Sequence, residues 1–407
     1  QRASRMRHDR RVGSVTSGGA VGVLRWMKGR RKTTASIAVV SAAAIALGVL
    51  AFTYEGFTQT DVDLHDGGVW VTRTSTSEVG HLNVQAQELD GHVYAPSAST
   101  SFDVLQDGAN VFLRDGDGTF IQIDPATMTL GAGLALAADV DVQQRGGTVA
   151  ILEPDGRLWA MPVAEVGAFD AEDTEPLAEV GRDAAVEVGF DGSVAVASPE
   201  QGSVLQWEVA DDGGFEEPAS ESREGLGDAD DVSVTLVGDQ AVALGGERLF
   251  LPGRTVDVPE GAVLQQVGDG ASSVVLATSE LLLRHPLGAG EMVQQSIGAG
   301  GGEVVAPVQL GGCLYAAFPS SGQFVRACQD ASRNAEEAID GLEGPAVFRV
   351  NRGMVVLNQF ESGQSWLVTD QVVLVDNWED LIPPESEEES EEQDESLEDI
   401  LQQTVPP

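Results

Sequence analysis

Phe102-Asp-Val-Leu-Gln106, Asn110-Val-Phe-Leu113 and Thr119-Phe-Ile-Gln-Ile-Asp124 are three short β-rich runs separated by Gly- and Asp-containing turns. The same order returns in Asp139-Val-Asp-Val-Gln143, Thr148-Val-Ala-Ile-Leu152 and Arg157-Leu-Trp-Ala-Met161. Short runs bounded by turn residues are the pattern of small antiparallel sheets. Further units begin near Ala185, Val232, Val263, Glu303 and Ala346, so seven units follow one another in steps of 31 to 47 residues. A propeller blade takes about 40 to 50 residues. The expected fold is therefore all-β, a β-propeller of about seven blades. An earlier pair of runs, Gly68-Val-Trp-Val-Thr72 and His81-Leu-Asn-Val84, is expected to complete the last blade and close the ring, because radial closure leaves only short, protected sheet edges.

The competing architecture is a stack of β-sandwiches. Tandem sandwiches would show a boundary about every 100 residues, and no linker interrupts these units. The 48 glycines suit a chain that turns every few residues. Helical patterning is nearly absent here; Asn334-Ala-Glu-Glu-Ala-Ile339 favours a helix but is short.

Working outward toward the N-terminus, Thr33 to Tyr54 runs 22 residues without a charge. Ten of the 23 basic residues and one acid precede this run, and 13 basics and 64 acids follow it. About 20 apolar residues span a bilayer as a helix, and a basic flank stays in the cytoplasm. The expected organisation is a basic cytoplasmic stub (1–32), a transmembrane helix (33–54), an extracytoplasmic propeller (55–378) and a disordered acidic linker (379–407). Two rivals exist for the apolar run: a cleaved secretory signal, with Val49-Leu50-Ala51 as a loose cleavage site, and a buried soluble helix, which the flanking charge asymmetry opposes. Trp26 and Tyr54 flank the run as interfacial aromatics do. Ten of the fifteen residues from Glu385 to Asp399 are acidic and none is basic. Such a block cannot bury enough apolar surface to fold, so it reads as a linker, with an interaction tail as the rival reading.

Two cysteines are present, Cys313 and Cys328. Folding the intervening residues about the Pro319-Ser320-Ser321-Gly322 turn sets the two opposite each other, so a disulfide is geometrically reasonable and an oxidising exterior permits it. Two buried free thiols are the alternative. A metal site would need further ligands, and none accompanies the pair.

Other chemistry is sparse. His8, His65, His81, His92 and His285 are scattered singly, with no H-E-x-x-H. There is no nucleophile elbow with partners. The Gly298-Ala-Gly-Gly-Gly302 cluster lacks the Lys and helix of a phosphate loop and reads as an inter-blade loop. Asp115-Gly-Asp117-Gly118 resembles half a calcium loop but lacks the distal Glu; a hairpin turn explains it. Trp70, Trp159, Trp207 and Trp366 fall in expected strands, as packing anchors between blades or, alternatively, a sugar-stacking platform. No catalytic, cofactor-binding or metal residue is assigned, and no cofactor is expected. Past Tyr54 there is no lysine, and so acidic an exterior is unsuited to nucleic acid, whose phosphates need a basic surface.

Asp61-Val-Asp-Leu-His-Asp-Gly-Gly-Val-Trp-Val-Thr72, followed by Gly80-His-Leu-Asn83, resembles the N-terminal part of large actinobacterial envelope proteins. Those carry a transmembrane helix, a propeller-like region and a long array of Ig-like or fibronectin type III domains. The cysteine hairpin, Asn377-Trp378 and the terminal Thr404-Val-Pro-Pro407 suit that layout, although no fibronectin domain lies in these 407 residues. The resemblance implies an adhesive or spacer role and transfers no catalytic residue. The expected function is a non-enzymatic, single-pass cell-membrane scaffold or adhesion-type protein, its bulk extracytoplasmic, binding an unidentified envelope protein or polysaccharide through the propeller faces. The alternative is a ligand-binding or catalytic propeller acting on a small molecule or envelope polysaccharide, which would bring carboxylates or arginines to the central axis. A signalling receptor is disfavoured, because the basic stub is too short for a folded cytoplasmic domain.

Overall fold

A computed structural model describes residues 68–96, 102–116, 118–297 and 302–381. The stub 1–32, the apolar run 33–54 and the chain beyond residue 381 lie outside the described residues, as do His8, His65, Asp117 and the loop 298–301. Among the described residues no helix is long and apolar enough to cross a membrane; the helical segments there are 3-10 turns of three to six residues.

Residues 68–381 form eight antiparallel sheets taken in chain order around a ring. Blades 2 to 8 have four strands each and span 102–135, 141–179, 185–222, 233–257, 263–296, 308–338 and 346–375; blade 1, residues 68–94, has three. The seven expected units are thus blades 2 to 8. The count of about seven is corrected to eight, because Gly68–Arg73 and Glu78–Asn83 do not complete the last blade. They pair with Glu88–Tyr94 as a blade of their own, while the last blade carries its own four strands.

The sequence of each strand follows its place along the blade. Second strands such as Thr148–Leu152 and Val194–Ser198 are buried throughout, because both faces of a blade pack on a neighbouring blade. Fourth strands such as Ala219–Ser222 and Val293–Ser296 are exposed throughout and are correspondingly polar. Since successive side chains on a strand point to opposite faces, one second strand serves two interfaces. Val111 and Leu113 pack toward blade 1 with Trp70 and Val79, while Phe112 packs toward blade 3 with Val149, Ile151 and Trp159. Each such side chain contributes about 1.5–3 kcal/mol by leaving water. Trp70, Trp159, Trp207 and Trp366 are all at most 2% exposed, as packing anchors require.

Turns complete the pattern. Between the first two strands of blade 3 the chain reverses at Gly146 and Gly147, with φ of 56° and 77°, the left-handed conformation that tight hairpins need. A Cβ on Gly146 would come within 2.2 Å of the Gly192 backbone nitrogen, so the turn is also packed against blade 4. The helix-favouring stretch near Asn334 is instead a strand, Ala335–Ala338, paired with Gln323–Arg326. Ladder bonds to an existing sheet outweigh the few tenths of a kcal/mol by which such residues prefer a helix.

Blade 1 differs from the others in kind. Its Gly68–Arg73 strand, three-residue 3-10 turn, left-handed Ser77 and Glu78–Asn83 strand repeat the spacing of Cys313–Phe318, Pro319–Ser321, left-handed Gly322 and Gln323–Cys328 in blade 7. Those are the second and third strands of blade 7, so blade 1 holds strand positions two to four and, among the described residues, has no innermost strand. Blades 8 and 2 meet directly at the axis instead. Arg349 Nη1 donates to Val104 O at 3.1 Å, and the Gly108 amide donates to Asn351 Oδ1 at 2.9 Å.

Candidate functional site: the polar axis and its acidic mouth

The first strand of each four-stranded blade borders the axis. Phe102–Asp107, Asp141–Arg145, Ala185–Val188 and Ala346–Asn351 all contribute to an axial cavity of about 180 Å³, whose polar lining includes Asp103, Gln143, Arg145, Glu187, Gln266 and Arg349. Gln266 of blade 6 reaches past blade 7 and donates from Nε2 to Phe348 O of blade 8 at 3.0 Å, narrowing the channel.

Electrostatics differ from blade to blade. Arg349 is buried and ion-paired with Asp103, and it donates to Val104 O and Thr72 Oγ1. Its charge is thus satisfied by a carboxylate and by backbone, as a buried cation requires. Glu187 has no cationic partner within ion-pair distance among the described residues. Its side chain accepts the Val188 amide at 3.0 Å. Burial in the channel pushes its carboxyl up to about 7, against the attraction of Arg145 and the Val188 hydrogen bond and with a push from Asp141. Arg145 itself lies over the Phe190 ring, its guanidinium carbon 4.8 Å from the centroid. A carboxyl poised near neutrality and facing a cation across a narrow polar channel is able to exchange a proton or hold a polar ligand.

Above this throat opens a cavity of about 920 Å³ on the face formed by the turns between second and third strands. Asp103, Asp115, Asp139, Asp141 and Glu361 line it with a single arginine, Arg114, and two aromatic rings, Phe102 and Phe360. Asp103 belongs to both cavities. Asp141 is raised by burial, opposed by Arg114 at 3.6 Å and by a hydrogen bond from Gln143. Asp115 Oδ1 accepts the Thr119 amide at 2.8 Å, which is the bond of a hairpin turn. Among the described residues no group of three His, Cys, Asp or Glu side chains is arranged to hold a metal ion.

The two cysteines sit directly opposite each other across the second and third strands of blade 7 and are joined by a disulfide. His81 and His285 are buried within blades, at 6% and 5% exposure; His81 Nδ1 is hydrogen-bonded to Asp90 Oδ1 at 2.5 Å. None of these lies at the axis. The axial residues were not identifiable from sequence, since they come from five different repeats. The available signal is positional: Asp103 and Asp141 both stand seven residues before the start of their second strands, Asn110 and Thr148.

No protein-family profile matches the chain, and no curated protein does. Solved structures do. The chain is similar to the dihydro-heme d1 dehydrogenase NirN in complex with DHE, at 12% identity and a TM-score of 0.54, over 80% of this chain and 75% of that one. It is also similar to BamB from Moraxella catarrhalis, at 15% identity and a TM-score of 0.47, over 73% and 92%. A third is virginiamycin B lyase from Staphylococcus aureus, at 11% identity and a TM-score of 0.41, over 65% and 92%. At such identities the likeness is one of fold, and a shared fold does not carry function with it.

Proposed function

We propose that this protein is a non-enzymatic binding propeller of the cell envelope, held by the 33–54 run as a single-pass anchor with its bulk outside the membrane. On this reading the large mouth engages an envelope partner that presents basic groups. The observation that carries the proposal is the mouth's charge: five carboxylates against one arginine in a cavity of about 920 Å³. The surrounding surface adds to it, since residues 68–381 hold 13 arginines and no lysine against 50 acids. Such a field concentrates and orients cationic groups. The resemblance of Asp61–Thr72 to actinobacterial envelope proteins with Ig-like or fibronectin type III arrays supports the same placement. A photo-crosslinker at Glu361, in the mouth, should give a discrete adduct on intact cells that is lost in high salt, while one at Gly253, outside it, should not. Equal labelling from both positions, or a salt-insensitive adduct, would overturn the proposal.

A second reading has its own support. The axis brings together Asp103, Glu187, Arg145 and Arg349, the kind of convergence that a ligand-binding or catalytic propeller needs. On that reading a small polar molecule co-purifies with the native protein, and Glu187→Gln releases it. Native mass spectrometry of both proteins discriminates the two readings.

A further inference from the structure

We infer that blade 1 is a releasable wedge: it docks on a ring that the other seven blades already close, and it is the first unit to open. Among the described residues no strand pairs with one edge of Gly68–Arg73, and three side chains, those of Gln106, Asn351 and Asn358, stand in for the ladder. Gln106 Oε1 accepts the Trp70 amide at 2.9 Å, and Gln106 Nε2 donates to Gly68 O at 3.3 Å. Asn351 Nδ2 donates to the same carbonyl at 2.7 Å. Asn358 completes the set: its Oδ1 accepts the Thr72 amide at 2.9 Å and its Nδ2 donates to Thr72 O at 3.0 Å. Arg349 adds a bond to Thr72 Oγ1. The groups Gly68, Trp70 and Thr72 use on this edge are therefore capped by side chains of blades 2 and 8. A strand pair at the same place would be continuous backbone.

Three features make this seam the opening point. Blade 1 is tied by chain only to blade 2, because the last blade is built wholly from 346–375 and no strand is shared across the closure. The ring beside the axis does not depend on blade 1, since Arg349 and Asn351 reach Val104 and the Gly108 amide directly. The other bonds across the seam lie at its rim: Thr74 N to Phe360 O, Ser75 N to Glu361 O, Asn377 with the amide and carbonyl of Leu89 at 2.8 and 3.1 Å, and Arg73 with Glu379 at 3.4 Å. Side-chain caps have rotamer freedom that backbone ladders lack, so the free energy to open this edge is lower than elsewhere in the ring.

Hydrogen exchange on the full chain tests this. Trp70 and Thr72 correspond in strand position to Tyr315 and Ala317 of blade 7, and to Ala150 and Leu152 of blade 3. The amides of 68–73 should exchange at least about tenfold faster than those of 313–318 and 148–152, a difference of about 1.4 kcal/mol. Asn358→Leu should raise exchange a further tenfold or so in 68–94 and leave blades 3 to 6 unchanged. Should that variant fail to fold, Gln106→Met, which removes the Trp70 cap, one of the two bonds to Gly68 O and a bond to Gly108 O, should give the same local pattern. Equal protection of 68–73 and the two reference strands would overturn the inference. So would a rise in exchange spread evenly over all eight blades in either variant.

Discussion

Replacing Glu187 by Gln should stabilise the propeller at alkaline pH and have almost no effect near pH 4. The carboxyl's ordinary value is 4.5, and burial in the channel pushes it up to about 7. A group whose folded pKa is raised contributes stability below its unfolded pKa and loses it as pH rises through the folded one. The loss therefore begins near pH 4.5 and is complete above pH 7. At 1.36 kcal/mol per unit the full shift corresponds to about 3 kcal/mol. Channel water screens part of this, so about 1–3 kcal/mol is expected at pH 8. For a domain of roughly 310 residues, with an unfolding entropy of about 2.1 cal/mol/K per residue, that is about 2–5 °C in Tm. Gln keeps an acceptor for the Val188 amide, so the hydrogen bond at 3.0 Å survives the change. Thermal midpoints of both proteins from pH 4 to 8.5 give the difference curve, because titrating groups not coupled to Glu187 cancel. A flat difference, or a Gln variant less stable at pH 8, would refute the placement of Glu187 in a poorly hydrated channel.

Further outcomes follow from single contacts. Gly68→Ala should cost about 1–3 kcal/mol in a chemical-denaturation midpoint, since a Cβ there would lie 1.9 Å from His81 Nε2; a neutral result would mean that His81 does not cover this glycine. Arg326→Ala should cost about 1–3 kcal/mol, as its guanidinium donates to the carbonyls of Arg333, Val368 and Asp370 at 2.7–2.8 Å and its loss leaves the buried Val368 carbonyl without that donor; a cost under about 0.5 kcal/mol would show that water replaces it. Reduction of the Cys313–Cys328 bridge, whose cysteines are 15 positions apart, should lower stability by about 3 kcal/mol, and the oxidised protein should weigh two hydrogens less; a free-thiol mass would remove the bridge from the account. His285 is held below its ordinary value by burial and by Arg254, so the stability it contributes is present above about pH 6.5 and lost as pH falls. His285→Gln should flatten that acid limb, and an unchanged limb would place the titration elsewhere.

Much of the ring was legible because its repeats are local. The expected starts at 102, 139, 185, 232, 263, 303 and 346 fall within five residues of the first strands at Phe102, Asp141, Ala185, Ser233, Val263, Val308 and Ala346. The eighth blade was hidden for a physical reason. With three strands among the described residues it shows fewer apolar runs, and its outer strand Glu88–Tyr94, mostly exposed or half-buried, carries little pattern. Gly68–Thr72 reads as a deeply buried strand in search of a sheet, and the last blade, expected to receive it, already carries four strands of its own. Asn334–Ile339 misled through local propensity, which tertiary pairing overrode. The cysteine pairing was readable because one hairpin sets it. The axial set was not, since Asp103, Arg145, Glu187 and Arg349 meet only when blades far apart in sequence are arranged around a ring.

The central claim is a ring of eight sheets in which blades 8 and 2 touch at the axis and blade 1 sits behind them. A crystal structure of the propeller tests it most directly at the seam. The account predicts electron density for Arg349 against Val104 O and Asp103, with Asn358 capping both backbone groups of Thr72. Density for a further strand threaded between Phe102–Asp107 and Ala346–Asn351, or a ring with a different number of sheets, would contradict it.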